Sequence, residues 1–408
     1  MITAAHHTMF GPDTGIKPPY DWSYNTVMDQ RDALAAKVAR SSSPIVTDAP
    51  SIDLSALGVT AVQHHPVPLT QYPGKIGMLF RYTATPNNVD YCIVDPEEGT
   101  VTRTGAYMTS SSTNAASRLC MDRNGNMCGA VRHDGGIYSW GQDGSNCTKH
   151  GVCEAFPTNR GFRLVQIPEG GFIAYGEEST TRHMYKIDDN YNISLAFTWG
   201  QTSYYPYSAI FMPNYLITTA TTALICRFAR NLSSGSPIST GTFGSYSSLH
   251  SITMCPLTRG DIFFGMMGHT ISGKKVVGYK ADANTAVTSS LTAPEQCENV
   301  GCFLPTGEFF SHSNYNGSNA SHPPLNANQW YLYNYETDTF TNVGGTHDGT
   351  NNVGWRVFML PTGKCLSYRS TFGTDGKINF KFHDWGFKKR DIPANLISGP
   401  YGFNNTCC

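Results

Sequence analysis

Short runs along this chain alternate apolar and polar positions with the period of two that a β-strand imposes. QWYLYNYETDTFT at 329–341, DYCIVDPEEGTVT at 90–102 and HMYKIDDNYNISL at 183–195 each read as strand, acidic or Asn-rich turn, strand. In WYLYNY the alternation puts Trp330 and Leu332 on one face and Tyr331, Tyr333 and Tyr335 on the other. Both faces are apolar or aromatic, which predicts a strand held between two neighbouring sheets.

A second phrase precedes these hairpins: an apolar strand, then Pro or once Asp, then a turn rich in Gly. It reads QYPGK, CMDRNGN, QIPEGG, FMPNY, MCPLTRGD, FLPTGE and MLPTGK, anchored at Pro73, Asp122, Pro168, Pro213, Pro256, Pro305 and Pro361. The anchors recur every 43 to 56 residues. Pro pre-sets φ for a turn, and Gly supplies the positive φ that a tight hairpin requires. A unit of about 45 residues with about four short strands has the size of one propeller blade.

LPTGK and LPTGE followed by a strand, then YNYETDTFT, resemble the Kelch-type repeat, in its divergent form because the marker glycine doublet is mostly missing. The resemblance covers residues 70 to 390; the seven anchors themselves predict an all-β fold, a β-propeller of seven blades, with six or eight blades and a β-sandwich of evenly spaced turns as the alternatives. The chain divides into an N-terminal arm and helix for anchoring and assembly (1–69), a propeller (70–390) and a C-terminal tail with terminal cysteines (391–408). In the arm, FGPDTGIKPPYDWSY reads as extended, and Asn25–Arg40 reads as an amphipathic helix. Val27, Leu34 and Val38 share its stripe, Arg31 interrupts it, and Asp29, Lys37 and Arg40 are placed to complement the macrodipole. A short helix cannot stand alone, so Tyr20, Trp22, Val27, Leu34 and Val38 are candidate anchoring residues.

Composition narrows the class. Only 14% of the 408 residues are Asp, Glu, Lys or Arg, against an average of about 25%, and 12% are aromatic. The 29 basic and 30 acidic residues provide no global basic footprint, which argues against a nucleic-acid partner. No run approaches 18 apolar residues, so no membrane-inserted helix is expected. The opening MITAAHHTMFGPD has neither the basic nor the apolar region of a Sec-type leader.

Twelve cysteines stand beside that opening. Cys92, Cys226 and Cys255 lie in apolar runs and read as buried thiols. Cys147 with Cys153, and Cys297 with Cys302, are spaced to close small loops and are candidate local disulfides. Cys407 and Cys408 end the chain and are candidates for an intermolecular disulfide, because adjacent cysteines bridge each other only with strain.

Catalytic signals are weak. RHDGGIYSW at 132–140 is a single, wrongly spaced approximation to a sialidase box, so Asp134 and Trp140 read as a turn and a strand aromatic. The doublets His6–His7 and His64–His65 point to opposite faces of a strand and make poor chelates. Glu97–Glu98 and Asp188–Asp189 fall in hairpin turns, where Asp serves geometry. No phosphate loop or nucleophile elbow is present. The expectation is therefore no catalytic residue, no cofactor and no metal. Low charge, the missing leader and the thiol-bearing tail together point to a non-enzymatic structural or receptor-contacting component of a tailed-bacteriophage virion, in a tail, collar or fibre. Its partners would be other virion proteins and copies of itself, with host-surface glycan as a further class. It would be assembled in the host cytoplasm and extracellular after release. A secreted glycan-binding or sialidase-like propeller and an intracellular Kelch-like adaptor are the alternatives.

Overall fold

A computed structural model describes residues 18–110, 117–131, 134–154, 160–178, 181–200, 208–219, 224–235, 237–242, 255–256, 262–266, 275–292, 301–312, 329–346, 355–370 and 376–404. The chain folds as an all-β β-propeller. Among the described residues the strands form seven antiparallel sheets. Sheets 1 to 6 are four-stranded meanders over 59–109, 117–152, 160–200, 208–242, 255–292 and 302–346. Sheet 7 joins three strands of 356–384 to the strand Ile45–Asp48 from the other end of the chain, and Ile52–Asp53 adds a short pairing to the same edge. First strands of successive sheets touch, as Val59–Pro68 does with Ser117–Met121 and Cys302–Phe303 with Arg356–Met359, so the first strands line the ring's axis.

The predicted turns fall where the repeat puts them. Six of the seven anchors lie between the first and second strand of a sheet, and Pro256 closes the first strand of sheet 5. Gly171 has φ +78°, and a Cβ there would lie 2.1 Å from the Ile187 carbonyl oxygen, so the turn of QIPEGG requires glycine. Both faces of the strand within WYLYNY are buried, as the alternation predicts: Trp330, Tyr331, Leu332 and Tyr333 are all at most 3% exposed, whereas Tyr335, past the strand's end at Asn334, is half-buried. Trp140 lies buried in a strand, and Asp134 is in the preceding turn. Asp95 and Asp188 accept backbone N–H bonds within their own hairpins, which is the geometric role read for that acidic turn.

Three boundaries differ from the sequence reading. Strands begin at Ile45, not at 70, because Ile45–Asp48 closes sheet 7 and Val59–Pro68 opens sheet 1. Period-two alternation is unreadable in a four-residue strand whose side chains are mostly exposed. Helix α1 spans Tyr24–Ala35 and stops short of Lys37 and Arg40, so no basic residue lies in its last turn. Arg40 instead binds Glu308 in the turn of sheet 6 and lies over the Trp385 ring, 5.5 Å from its centroid. The segment 391–404 is not a free tail. It forms helix α2 (Ala394–Ser398) and a turn, with Leu396, Ile397 and Tyr401 fully buried.

Candidate functional site at the capped mouth

The end of the ring formed by the Pro-Gly turns is closed by the segment 391–404. Gln166 Nε2, at the end of the first strand of sheet 3, donates to the Ser398 carbonyl at 2.7 Å. The Tyr401 hydroxyl donates to the Phe211 carbonyl in sheet 4. The Phe303 amide of sheet 6 donates to the Phe403 carbonyl at 2.8 Å. In sheet 7, Asn404 Oδ1 accepts from the Met359 amide at 2.6 Å, and its Nδ2 donates to the Met359 carbonyl at 2.8 Å. Helix α2 also packs on Val59–Pro68 of sheet 1. A short segment that reaches first strands of five sheets must lie across the ring's axis.

Helix α1 and the arm cover this plug. Arg31, the residue that interrupts the apolar stripe, is buried, lies 4.9 Å from the Phe303 ring centroid and donates to the Tyr401 carbonyl at 3.3 Å. Asn395 Nδ2 donates to Gln30 Oε1. Gly399 and Gly402 allow the close approach: a Cβ at Gly399 would lie 2.7 Å from the Trp22 ring, and one at Gly402 would lie 2.1 Å from the Leu396 carbonyl oxygen. Burial holds the Tyr401 phenol protonated, with its pKa raised well above the ordinary value.

All five proposed anchors are used inside the molecule. Tyr20, Trp22, Val27 and Leu34 are at most 4% exposed, within cores shared with sheets 1 to 4, 6 and 7, and Val38 packs on the same core half-buried. Their burial is satisfied by this chain's own sheets, so they do not present an apolar face to a partner.

Among the described residues, two clefts lie on the rim of this mouth. One, of about 540 Å³, lies between α1 and the turns of sheet 6, lined among others by Arg31, Asp32, Thr306, Tyr335 and Glu336. The other, of about 520 Å³, lies between the turns of sheets 3 and 4, with Glu169, Lys186, Asp188, Phe211 and Arg230 on its walls. Several of its charges are engaged: Arg230 binds Glu169 and the Met212 carbonyl, and Asp188 accepts from Asn192.

Asp122 is the one anchor that is not Pro. Its carboxylate accepts from the Asn126 amide at 2.7 Å and from the Tyr191 hydroxyl of sheet 3 at 2.8 Å. Tyr191 has φ +62° and stacks on His150, whose Nε2 is 2.7 Å from Ser139 Oγ. Burial pushes the Asp122 carboxyl pKa up, against the Tyr191 and Asn126 hydrogen bonds that lower it, and pushes the His150 pKa down. This polar seam between sheets 2 and 3 was invisible in the sequence except as the departure from Pro.

The cysteines sort differently from the predicted pairs. Cys147 and Cys153 are both free, the first exposed and the second buried with Cys120 and Cys128. They flank the extended strand Thr148–Val152, which separates them by roughly 20 Å at about 3.4 Å per residue, far beyond disulfide reach. Cys302 is a free buried thiol, whereas Cys297, Cys407 and Cys408 lie outside the described residues. Cys92 and Cys226 are buried thiols as read, and burial pushes Cys92 up to about 12. The side chain of Cys255 and those of both His doublets are not among the described ones. Among the described residues no group of three or more His, Cys, Asp and Glu is placed to hold a metal ion, and no helix is long and apolar enough to cross a membrane.

No family model matches the chain, and no curated protein matches it in sequence. Solved structures match its fold. A fungal alcohol oxidase of the AA5 family in complex with copper aligns with TM-score 0.60 at 10% identity, over 83% of this chain and 76% of that one. An oligogalacturonate lyase in complex with manganese aligns at 0.54 and 10%, over 85% and 98%. Virginiamycin B lyase from Staphylococcus aureus aligns at 0.53 and 10%, over 83% and 98%. At such identity the likeness carries the propeller fold alone.

Proposed function

We propose that this chain is a non-enzymatic, seven-bladed propeller that serves as a structural or receptor-contacting component of a tailed-bacteriophage virion. Each of the seven sheets is taken as one blade, and the Kelch-like kinship rests on the LPTGK, LPTGE and YNYETDTFT phrases. The observation that carries the binding role is the capped mouth. With one axial opening filled by 391–404 and covered by α1, ligand or receptor contact falls to the opposite loop face and the rim. The virion setting rests on the sequence: low charge and the adjacent cysteines at 407 and 408. Since Tyr20 to Val38 are committed internally, docking to other virion proteins is assigned to surfaces other than α1.

One observation favours a second reading, the intracellular adaptor: the eight described cysteines are all free thiols. Electron microscopy of phage particles labelled with gold-conjugated antibody to the chain separates the two. Label on a tail, collar or fibre is expected. Unlabelled particles, with the chain recovered only from the soluble fraction of the host, overturn the virion reading and favour the adaptor.

A further inference from the structure

We propose that Cys302 and Cys365 are the site of an oxidative cross-link that locks sheet 6 to sheet 7 beneath the cap. Their sulfurs are 3.8 Å apart, in van der Waals contact, although 63 positions separate them in the chain. A disulfide needs the two sulfurs to close to about 2.05 Å, so they must approach by roughly a further 1.7 Å. Both residues are completely buried. Cys302 lies in the first strand of sheet 6 and bridges Asn404 of the cap. Cys365 opens the second strand of sheet 7, opposite His383 in register. One bond would therefore tie together two sheets at the point where the C-terminal plug is seated. Cys302 has this partner without any contribution from Cys297.

The chemistry is exchange with a small-molecule disulfide. One cysteine thiolate attacks that disulfide, forming a mixed disulfide and releasing one small thiolate. The second cysteine thiolate then attacks the mixed disulfide, forming the protein S–S bond and releasing the other. The two protons lost by the cysteines end on the two small thiols, and the small disulfide takes up the two electrons. Burial and the neighbouring thiol raise the Cys365 pKa well above the ordinary value, which keeps the thiolate scarce in the closed fold. The cross-link consequently forms when the seam between sheets 6 and 7 opens. It stands on this geometry and does not depend on the setting proposed above.

The test incubates the reduced full-length chain with oxidised glutathione, without and with sub-denaturing urea. Free thiols are then alkylated, and the chain is digested without reduction for mass spectrometry. The expected product is a linked peptide pair containing Cys302 and Cys365, formed faster in urea, with a raised Tm that reducing agent reverses. C302A and C365A should each lose the linked pair and the Tm rise, and each is read against its own reduced form. Recovery of both cysteines alkylated, of Cys302 joined to Cys297, or of glutathione adducts alone, in both arms, overturns the proposal.

Discussion

His383 shows how far one residue's environment departs from its composition. It is fully buried between the Trp330 ring, 4.4 Å away by centroids, and the Phe310 ring at 5.1 Å, with Nε2 2.9 Å from Ser367 Oγ. Desolvation, with the nearby Lys381 charge adding to it, depresses its pKa to about 3. The unfolded chain takes up this proton near pH 6.5, so between pH 6.5 and about 3 it binds a proton that the native state does not. Stability should be flat in this contribution above pH 6.5 and fall below it, with a limiting slope of about 1.4 kcal/mol per pH unit. H383F should flatten the portion between pH 5 and 6.5 in urea unfolding curves, where few carboxylates titrate. Asn404 makes the complementary case for hydrogen bonding. N404A strands the Met359 amide and carbonyl and the Ile397 carbonyl, and should cost about 2–3 kcal/mol, read as a lowered urea midpoint at unchanged m-value. Neither role was legible beforehand, because a buried His or Asn looks like any other in a chain rich in both. Asp122 was visible as the odd anchor, but its reach to Tyr191 was not.

Among elements, strands with a repeated turn were the readable ones. Pro and Gly act within a few residues, so the hairpins at Pro168, Pro305 and Pro361 follow from local chemistry. Helix α1 was legible in place but not in extent, since Arg40's engagement with Glu308 and Trp385 is a contact 268 residues away from Glu308 in sequence. The stripe of Val27 and Leu34 was read correctly as a docking face, while its partner proved to be the chain's own propeller. The C-terminal segment had no periodicity because it packs as a plug, with Ser398, Tyr401, Phe403 and Asn404 each reaching a different sheet. Truncation after Arg390 removes the buried Ile392, Leu396, Ile397, Tyr401 and Phe403 and uncovers apolar ends of the first strands. The truncated chain should bind ANS several-fold more strongly than the full chain and lose its sharp near-ultraviolet circular dichroism, as expected of loosened packing.

For the whole molecule, sparse charge has a structural counterpart. Blade strands buried on both faces offer few sites for ions, and most described ion pairs leave one or both partners well exposed, as in Lys75–Asp95 and Lys381–Asp48. Such pairs contribute about 0–1 kcal/mol each and are screened by salt. Raising NaCl from about 0.05 to about 0.5 M should therefore move unfolding stability by less than about 1 kcal/mol, as measured by chemical denaturation. A larger loss would show that electrostatics carries more of the fold than burial does.

The sequence by itself determined the strand class, the seven recurring turns and the doubly buried strand faces, because turn chemistry and period-two alternation act over a few residues. Only the tertiary structure decided how the ring is closed, with Ile45–Asp48 paired to Lys377–Asp384. It also decided that segment 391–404 and helix α1 seal one mouth, and which thiols meet. Those outcomes join residues tens to hundreds of positions apart. Their driving force is the apolar surface and the unpaired backbone groups left at the ends of the first strands, which no local pattern records.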